Sequence, residues 1–363
     1  MYIPRKLIWI CCETGTQMTG KEIYNILIEE IRSGRITDML PSISQMRARY
    51  KTSHNTIHLA LDRLKMQGIV YGKQGKGVFV DRKNLQENCR RGVLFYLGDL
   101  DINSFVRNHF YVRTLIVLKA ELQKAGLELV LNSQLDDLQK KYSAVIVPDA
   151  NRLQQQDLSR LNLSLPGRIC LLNHKINGYV SISNDNFRGG WLAAERLYAA
   201  GHRNLAMLTV YLDLPYSFFH DRRDGVLAFQ RKHRDLCITQ FPVSTHGERE
   251  SAKGIAQEIL EHHPEITGAF TFKEIYAYEM YRVFRQAGRE ISLIGYGNPD
   301  YAEFMTPQLT TIAEDPEALA LATARTVCCQ IAGEPVKSAD IPVALIERKT
   351  VYSIPIREKG RSR

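Results

Sequence analysis

Between Arg47 and Lys76 the sequence sets the cations Arg47, Arg49, Lys51, Lys65, Lys73 and Lys76 around a short run of hydroxyl, amide and imidazole side chains: Ser53, His54, Asn55, Thr56 and His58. Fixed cations of this kind neutralise a polyanion in a salt-dependent way. An Asn amide offers the donor and acceptor that fit an adenine edge, and Ser and Thr hydroxyls suit phosphate oxygens. A local use is also open, since Ser53 and Thr56 are good helix caps. The distribution of charge favours the polyanion. The chain of 363 residues has a net charge of +9, and the first 91 residues hold 16 Lys and Arg against 8 Asp and Glu. The remainder holds 32 against 31, so the excess belongs to one N-terminal module.

That module must be built to present those residues. From Thr19, Ile23, Leu27 and Ile31 form an apolar stripe widened by Tyr24 and Ile28, which predicts a helix ending at Ser33-Gly34. Ser42 with Gln45 three residues on is a capping box, so a second, short helix runs to about Tyr50. Thr52 or Ser53 caps a third helix with the core face Ile57, Ala60, Leu61 and Leu64, which stops at Gly68. Strands at Ile69 to Tyr71 and Val78 to Val80 flank Gly72-Lys73-Gln74-Gly75-Lys76-Gly77. Three helices and a glycine-rich hairpin make a winged helix-turn-helix, expected over residues 19–81.

The ordered set Leu40-Pro41-Ser42, Thr52-Ser53-His54-Asn55-Thr56-Ile57, Ala60-Leu61-Asp62-Arg63-Leu64, Gly68-Ile69-Val70 and Gly75-Lys76-Gly77-Val78-Phe79-Val80 resembles the GntR-type DNA-binding domain. The resemblance covers about Thr19 to Val80. It implies a third helix in the major groove and a wing tip in the minor groove. Ser53, His54, Asn55, Thr56 and His58 would then face DNA from the third helix, with Ser42, Ser44, Arg47 and Lys65 beside them. Lys73, Lys76, Gly75 and Gly77 would do so from the wing. The chain departs from the family at Ser44, His54 and His58, where arginine is common, so its operator is expected to differ.

Arg82 to Arg91 is polar and charged, and reads as a linker. From Gly92 strands and amphipathic helices alternate. Strands are expected at Gly92 to Leu97, Leu127 to Leu131, Ala144 to Pro148, Ile169 to Leu172, Leu205 to Leu208, Gly268 to Phe272 and Ser292 to Gly295. Helices are expected at Val112 to Ala125, Phe187 to Ala200, Arg249 to Glu261, Glu274 to Ala287 and Pro316 to Ile331. Such alternation predicts doubly wound parallel sheets whose ligands bind beyond the carboxyl ends of strands. The fold class is therefore α/β: a winged helix-turn-helix followed, over residues 92–353, by a two-lobed doubly wound domain.

This second region resembles the LacI/GalR sensor domain, itself similar to periplasmic sugar-binding proteins. The residues that carry the likeness are Asn108-His109-Phe110-Tyr111, Asp185-Asn186, Gly189, Ala193, Leu197, Gly201-His202-Arg203, Arg222 with Gly225, Gly295-Tyr296, and Thr306-Pro307 with Leu309-Thr310-Thr311-Ile312. The resemblance implies a hinged cleft that binds a small polar molecule, often a sugar or nucleoside. Phe110 and Tyr111 would offer a flat face for a ring, or be core aromatics. Arg222 would fork onto vicinal hydroxyls or a carboxylate, or pair with a surface acid. Asp185 would either meet the ligand or cap the helix that follows. Lys273-Glu274 stands where the family has Asn-Asp, and Gly295-Tyr296-Gly297 where it has Gly-Phe-Asp. Glu274 can still accept two hydrogen bonds, Asn298 can replace the missing Asp, and Lys273 can pair with an acidic ligand. A sugar or sugar acid is the expected effector.

Composition, 44% hydrophobic and 24% charged, is that of a globular chain and not of a fibre, a disordered tail or a membrane bundle. The seven cysteines form no Cys-x2-Cys pair, so no metal site is expected; Cys11-Cys12 and Cys328-Cys329 read as small apolar fillers in a reducing cytosol. The apolar run Leu7 to Cys12 is too short for a secretory or spanning segment. No Gly-x-Ser-x-Gly, phosphate loop or His-Glu-x-x-His motif occurs, and neither catalysis nor a cofactor is expected. The reading is a cytoplasmic, ligand-responsive transcription regulator that resembles the arabinose-type repressors. As a homodimer through its sensor it would bind an inverted-repeat operator in double-stranded DNA, away from any membrane. The sensor by itself also fits a transport-type binding protein, which the winged helix opposes. Residues 1–18 form an extension that is open between an extra strand, a loose arm and a start codon at Met18; residues 354–363 form a basic tail.

Overall fold

The computed structural model describes residues 18–32, 34–66, 68–81, 92–99, 108–136, 138–153 and 156–355. The linker at 82–91, nearly all of the N-terminal extension and most of the basic tail lie outside the described residues. The chain divides into two compact units, an N-terminal one and a larger one from Val93 onward.

In the N-terminal unit, α1 (Gly20–Arg32), α2 (Ile43–Tyr50) and α3 (His54–Met66) precede a hairpin of β1 (Val70–Lys73) and β2 (Gly77–Val80). Ile23, Leu27 and Ile31 of α1 bury against Met46 of α2 and Ile57, Leu61 and Leu64 of α3. Local chemistry fixes each helix start. Thr19 and Glu22 exchange hydrogen bonds at α1, and Ser42 and Gln45 do so at α2. At α3 the choice falls on Ser53, whose Oγ accepts from Thr56 N at 3.2 Å, because the Thr52 hydroxyl instead donates to the Met18 carbonyl. Arg49 forks onto Glu30 and so ties α2 to α1. The hairpin turns on Gly75 at φ +73° and Gly77 at φ +112°, left-handed conformations that favour glycine.

The larger unit is built on two six-stranded sheets. The first lobe contains β3 (Gly92–Tyr96), α4 (His109–Lys124), β4 (Glu128–Asn132), β5 (Tyr142–Val147), α5 (Asp157–Ser164), β6 (Ile169–Leu172) and β7 (Val180–Asn184). The chain crosses at Asp185 into the second lobe, which holds α6 (Asn186–Ala199), β8 (Asn204–Thr209), α7 (Phe219–Lys232), β9 (Cys237–Pro242), α8 (Glu248–His262), β10 (Gly268–Thr271), α9 (Glu274–Gln286), β11 (Ser292–Gly297) and β12 (Thr310–Ala313). It returns through Glu314-Asp315 for α10 (Pro316–Ala332) and β13 (Ala339–Ile341), then crosses a third time to β14 (Ala344–Ile346). The sheet orders are β13-β7-β6-β5-β3-β4 and β14-β12-β11-β10-β8-β9. Strands β5, β6, β7 and β13 run parallel, as do β8 to β12 at their recorded pairings, and β14 is antiparallel on β12.

Two differences from the sequence expectations bear on function. Helix α4 begins at His109 and not at Val112, because the Asn108 side chain accepts from Phe110 N at 3.0 Å and caps it; Phe110 and Tyr111 are therefore in its first turn. Strands β7 and β9 and helix α7 were also not foreseen. The Ser-rich sequence of β7, the half-exposed edge position of β9 and the charged first half of α7 hide the apolar pattern that periodicity relies on. Helix α7 is seated on α6 by glycine. A Cβ on Gly225 would lie 2.0 Å from the Phe187 carbonyl oxygen, and one on Gly190 would lie 2.0 Å from that of Arg222.

Candidate functional site

In the N-terminal unit the start of α3 presents Ser53, His54 and Asn55 to solvent, with Thr56 and His58 half-buried. Ser53 and Thr56 are joined by their hydroxyls at 2.7 Å, and the His54 and His58 rings lie 4.4 Å apart, one turn along the helix. Ser44 and Arg47 are exposed on α2, and Ser42 is engaged in its capping box. Lys65 pairs with Asp62 at 3.3 Å. In the wing Gly75, Lys76 and Gly77 are exposed at the turn. Lys73 folds back, its ammonium 5.0 Å from the Phe79 ring and 5.4 Å from that of Tyr71. Arg49, held by Glu30, contributes less free charge than its position in sequence suggested.

In the larger unit the chain crossings bring polar residues together between the lobes. Arg222, on the first turns of α7, is 3% exposed, and each of its three nitrogens donates one hydrogen bond. Its Nε donates to Asn186 Oδ1 at 2.8 Å, its Nη1 to the Phe272 carbonyl at 2.7 Å and its Nη2 to Glu314 Oε1 at 3.1 Å. The guanidinium lies over the Tyr296 ring, 3.3 Å from its centre, and the Tyr296 hydroxyl also donates to Asn186 Oδ1. Glu314 sits on the second crossing and accepts from Asn184 Nδ2 at 2.9 Å. Burial pushes its carboxyl above the usual range, while Arg222 pulls the other way.

Beside this cluster Asn173, His174, Ser183, Asn186, Tyr216 and Phe218 line a cavity of about 150 Å³. His174 Nδ1 bonds to the Tyr216 carbonyl at 2.8 Å, and Tyr216 N donates to Asn151 Oδ1 at 2.9 Å, so the segment before α7 closes onto the first lobe. Lys175 bridges Asp221 and Asp340 at the rim. Two buried polar atoms, His174 Nε2 and Asn184 Oδ1, have no hydrogen-bond partner. His174 lines this cavity with its Nε2 3.5 Å from Asp149 Oδ1, whereas Asn184 lies outside the lining, on Glu314.

The structure sorts the residues expected to meet an effector. Arg222 reaches the cleft, but as half of a buried ion pair and not as a surface one. Tyr111 packs with Phe110 edge-on at 5.5 Å against the first-lobe core. Burial pushes the Tyr111 phenol well up, and Asp149 and Glu314 add to the effect, which puts this side chain beside the cleft acids. Asp185 caps α6 by accepting from Arg188 N at 2.9 Å. Three others turn away from the cavity. Lys273 is held by Glu248 at 2.8 Å, and the Tyr211 and Tyr276 hydroxyls close on the same carboxylate. Glu274 is buried at the start of α9, bonded by Asn298 N at 2.5 Å and Thr311 Oγ1 at 3.2 Å; burial pushes its carboxyl up to about 8. Asn298 accepts from Arg348 Nη2 at 2.8 Å. Sequence reasoning missed Asn173, His174, Asn184 and Glu314. Each follows the carboxyl end of a strand or ends one, which is the signal that could have found them.

Residues 19–80 match the GntR family of bacterial regulatory proteins, and residues 194–351 match the periplasmic binding protein-like domain. The chain is thus a GntR-type winged helix-turn-helix joined to a periplasmic-binding-protein-like sensor of mixed α/β fold. Among its relatives is the arabinose metabolism transcriptional repressor of Geobacillus stearothermophilus, 21% identical over 341 residues, which cover 87% of each chain. The protein of the same name from Halalkalibacterium halodurans is 24% identical over 321 residues, 80% of this chain and 84% of that one. Among solved structures, a LacI family transcriptional regulator from Enterococcus faecium with bound ribose superposes with a TM-score of 0.58 at 24% identity, covering 73% of this chain and 99% of that one. Among the described residues no helix is long and apolar enough to cross a membrane, and no cluster of three or more His, Cys, Asp or Glu could hold a metal ion.

Proposed function

We propose that this protein is a ligand-responsive transcription repressor: its GntR-type head binds an operator in duplex DNA, and a small polar effector, with a sugar the leading class, releases or remodels that complex. The carrying observation is one chain that joins a winged helix-turn-helix to a two-lobed domain whose crossings bring Asn184, Asn186, Arg222 and Glu314 together beside a polar cavity. Relatives named as arabinose repressors and a ribose-bound neighbour support the sugar. On this reading the DNA-binding domain spans 19–81, the linker 82–91 and the sensor 92–353. DNA is met by Ser53, His54, Asn55, Thr56 and His58, with Arg47, Lys65, Lys73 and Lys76 adding charge. The effector is met by Arg222 and Tyr111, joined by His174 and Asn184. Closure of the cleft is the differential state that effector and operator both bias.

One head reads half a site, so the active form is a homodimer, placed in the cytoplasm with its DNA. The sensor offers a face for it. Phe304 is 82% exposed and lies with Tyr301, Met305, Ile275 and Tyr278 around a shallow apolar hollow. Footprinting the chain on DNA upstream of its own and neighbouring genes tests the reading. A protected inverted repeat that weakens or shifts when effector is added is expected; a footprint without dyad symmetry overturns the dimer, and no specific footprint overturns the regulator.

A further inference from the structure

Resting on the winged helix as the part that reads duplex DNA, we propose that Leu59 is a specificity-determining residue of α3. It packs on the 5-methyl group of a thymine in the major groove, one or two base pairs from the adenine met by Asn55.

Helix geometry places it there. Ile57, Ala60, Leu61 and Leu64 form the buried side of α3. At about 3.6 residues per turn the outer side carries His54, Asn55, His58, Leu59 and Asp62. Leu59 follows Asn55 by four residues, so it stands on the same face about 6 Å further along the axis. Stacked bases repeat at about 3.4 Å, which makes that step one or two base pairs. The unit that holds this face is basic, with Arg47, Lys51 and Lys76 exposed, so its charge fits a polyanion.

Leu59 is the apolar member of this polar row and is 68% exposed. The side chains around it are engaged elsewhere. Arg63, one turn on, lies over the Tyr24 ring of α1 at 4.7 Å from its centre, and Asp62 pairs with Lys65. Ser53 and Thr56 join hydroxyls at the helix start. Gly20, the first residue of α1, passes beside Leu59 with bare backbone: a Cβ there would lie 3.2 Å from the Leu59 Cβ. Met66 is also exposed, but in the last turn of α3, about 10 Å beyond Leu59 and at the end away from Asn55.

The chemistry names the partner atom. Base edges in the major groove present hydrogen-bond donors and acceptors, and thymine alone adds a methyl group. A leucine side chain makes no hydrogen bond, so the methyl is the contact the groove offers it. With an amide at Asn55 that fits an adenine edge, the face asks for an adenine and a thymine close together. Burying one methyl-sized group is worth about fourfold in affinity.

The test starts from site selection with the full chain, without effector, on a random duplex library. Anisotropy titrations then use the selected operator with each thymine replaced in turn by deoxyuridine, which removes the methyl and nothing else. The unaltered chain is expected to lose about fourfold at one thymine of each half-site. In Leu59→Ala, affinity for the intact operator should fall by about the same factor and the uridine penalty at that thymine should vanish, with melting curve and salt slope unchanged. Met66→Ala should keep the penalty. A selected site with no methyl-sensitive thymine, or a penalty undiminished in Leu59→Ala, overturns the inference while the head remains a DNA reader. So does a Leu59→Ala that melts lower and weakens thymine and uridine duplexes equally, which marks a packing role. A changed sedimentation with the penalty intact assigns the face to a protein contact and also overturns it. If no site is selected, the DNA-reading head itself is refuted, and the inference with it.

Discussion

At the scale of single residues, position in the fold separates side chains of the same type. Lys76 sits exposed at the wing turn, whereas Lys73 lies over two aromatic rings and Arg49 is held by Glu30. Lys76→Ala should weaken binding to all duplex sequences about equally and lower the salt slope by about 1, while Asn55→Ala should relax preference at one base pair at a cost of about 1–3 kcal/mol; anisotropy titrations at several salt concentrations on operator and scrambled DNA distinguish them. Glu274 makes a second case. Its carboxyl titrates near 8 in the fold and near the ordinary 4.5 when unfolded, so the folded state binds the extra proton between those values. Stability from this group is full below about pH 4.5 and is lost as pH rises through 8. Melting curves from pH 5 to 9 should fall more steeply for the unaltered chain than for Glu274→Gln, a difference that cancels the titration of every other group.

At the scale of elements, the cleft depends on how closely α6 and α7 approach. Arg222 and Gly225 lie one turn apart on α7, and the glycine lets that turn sit on the Phe187 carbonyl while the arginine reaches Glu314. Alanine in place of glycine gains up to about 1 kcal/mol of helix propensity. Here a Cβ would meet backbone oxygen at 2.0 Å, and overpacking costs about 1–3 kcal/mol or more. The clash wins, so Gly225→Ala should lower the melting temperature and weaken effector binding together, as read by calorimetry and denaturation on one preparation. The head's elements were legible beforehand for a contrasting reason: the stripe on α1, the capping box at α2, the core face of α3 and the wing glycines are all local signals. Helix α7 was not legible, because its buried stripe of Phe219, Val226 and Phe229 is interrupted by Arg222 and Gly225.

At the scale of the whole molecule, the three chain crossings make the sensor two lobes around one cluster, and the dimer proposed above is assigned to the apolar hollow at Phe304. Phe304→Glu places a charge in the centre of the apolar hollow formed with Tyr301 and Tyr278. Sedimentation should show this variant as a monomer that still binds effector, with operator affinity reduced by about tenfold or more; an unchanged dimer would move the interface elsewhere. Both units were recognisable from sequence, since ordered motifs along the chain survive without any knowledge of contacts. The sequence by itself determined a winged helix-turn-helix followed by a doubly wound sensor, and a basic head. Only the tertiary structure decided what each charge in the sensor faces. Lys273 and Glu274 look like ligand groups at the end of a strand, yet one is held by Glu248 and the other is buried under Asn298, and Arg222 is balanced by Glu314 from 92 residues away. Pairing of buried charges depends on distances across the fold, and those are set by packing between elements, for which local sequence carries no record.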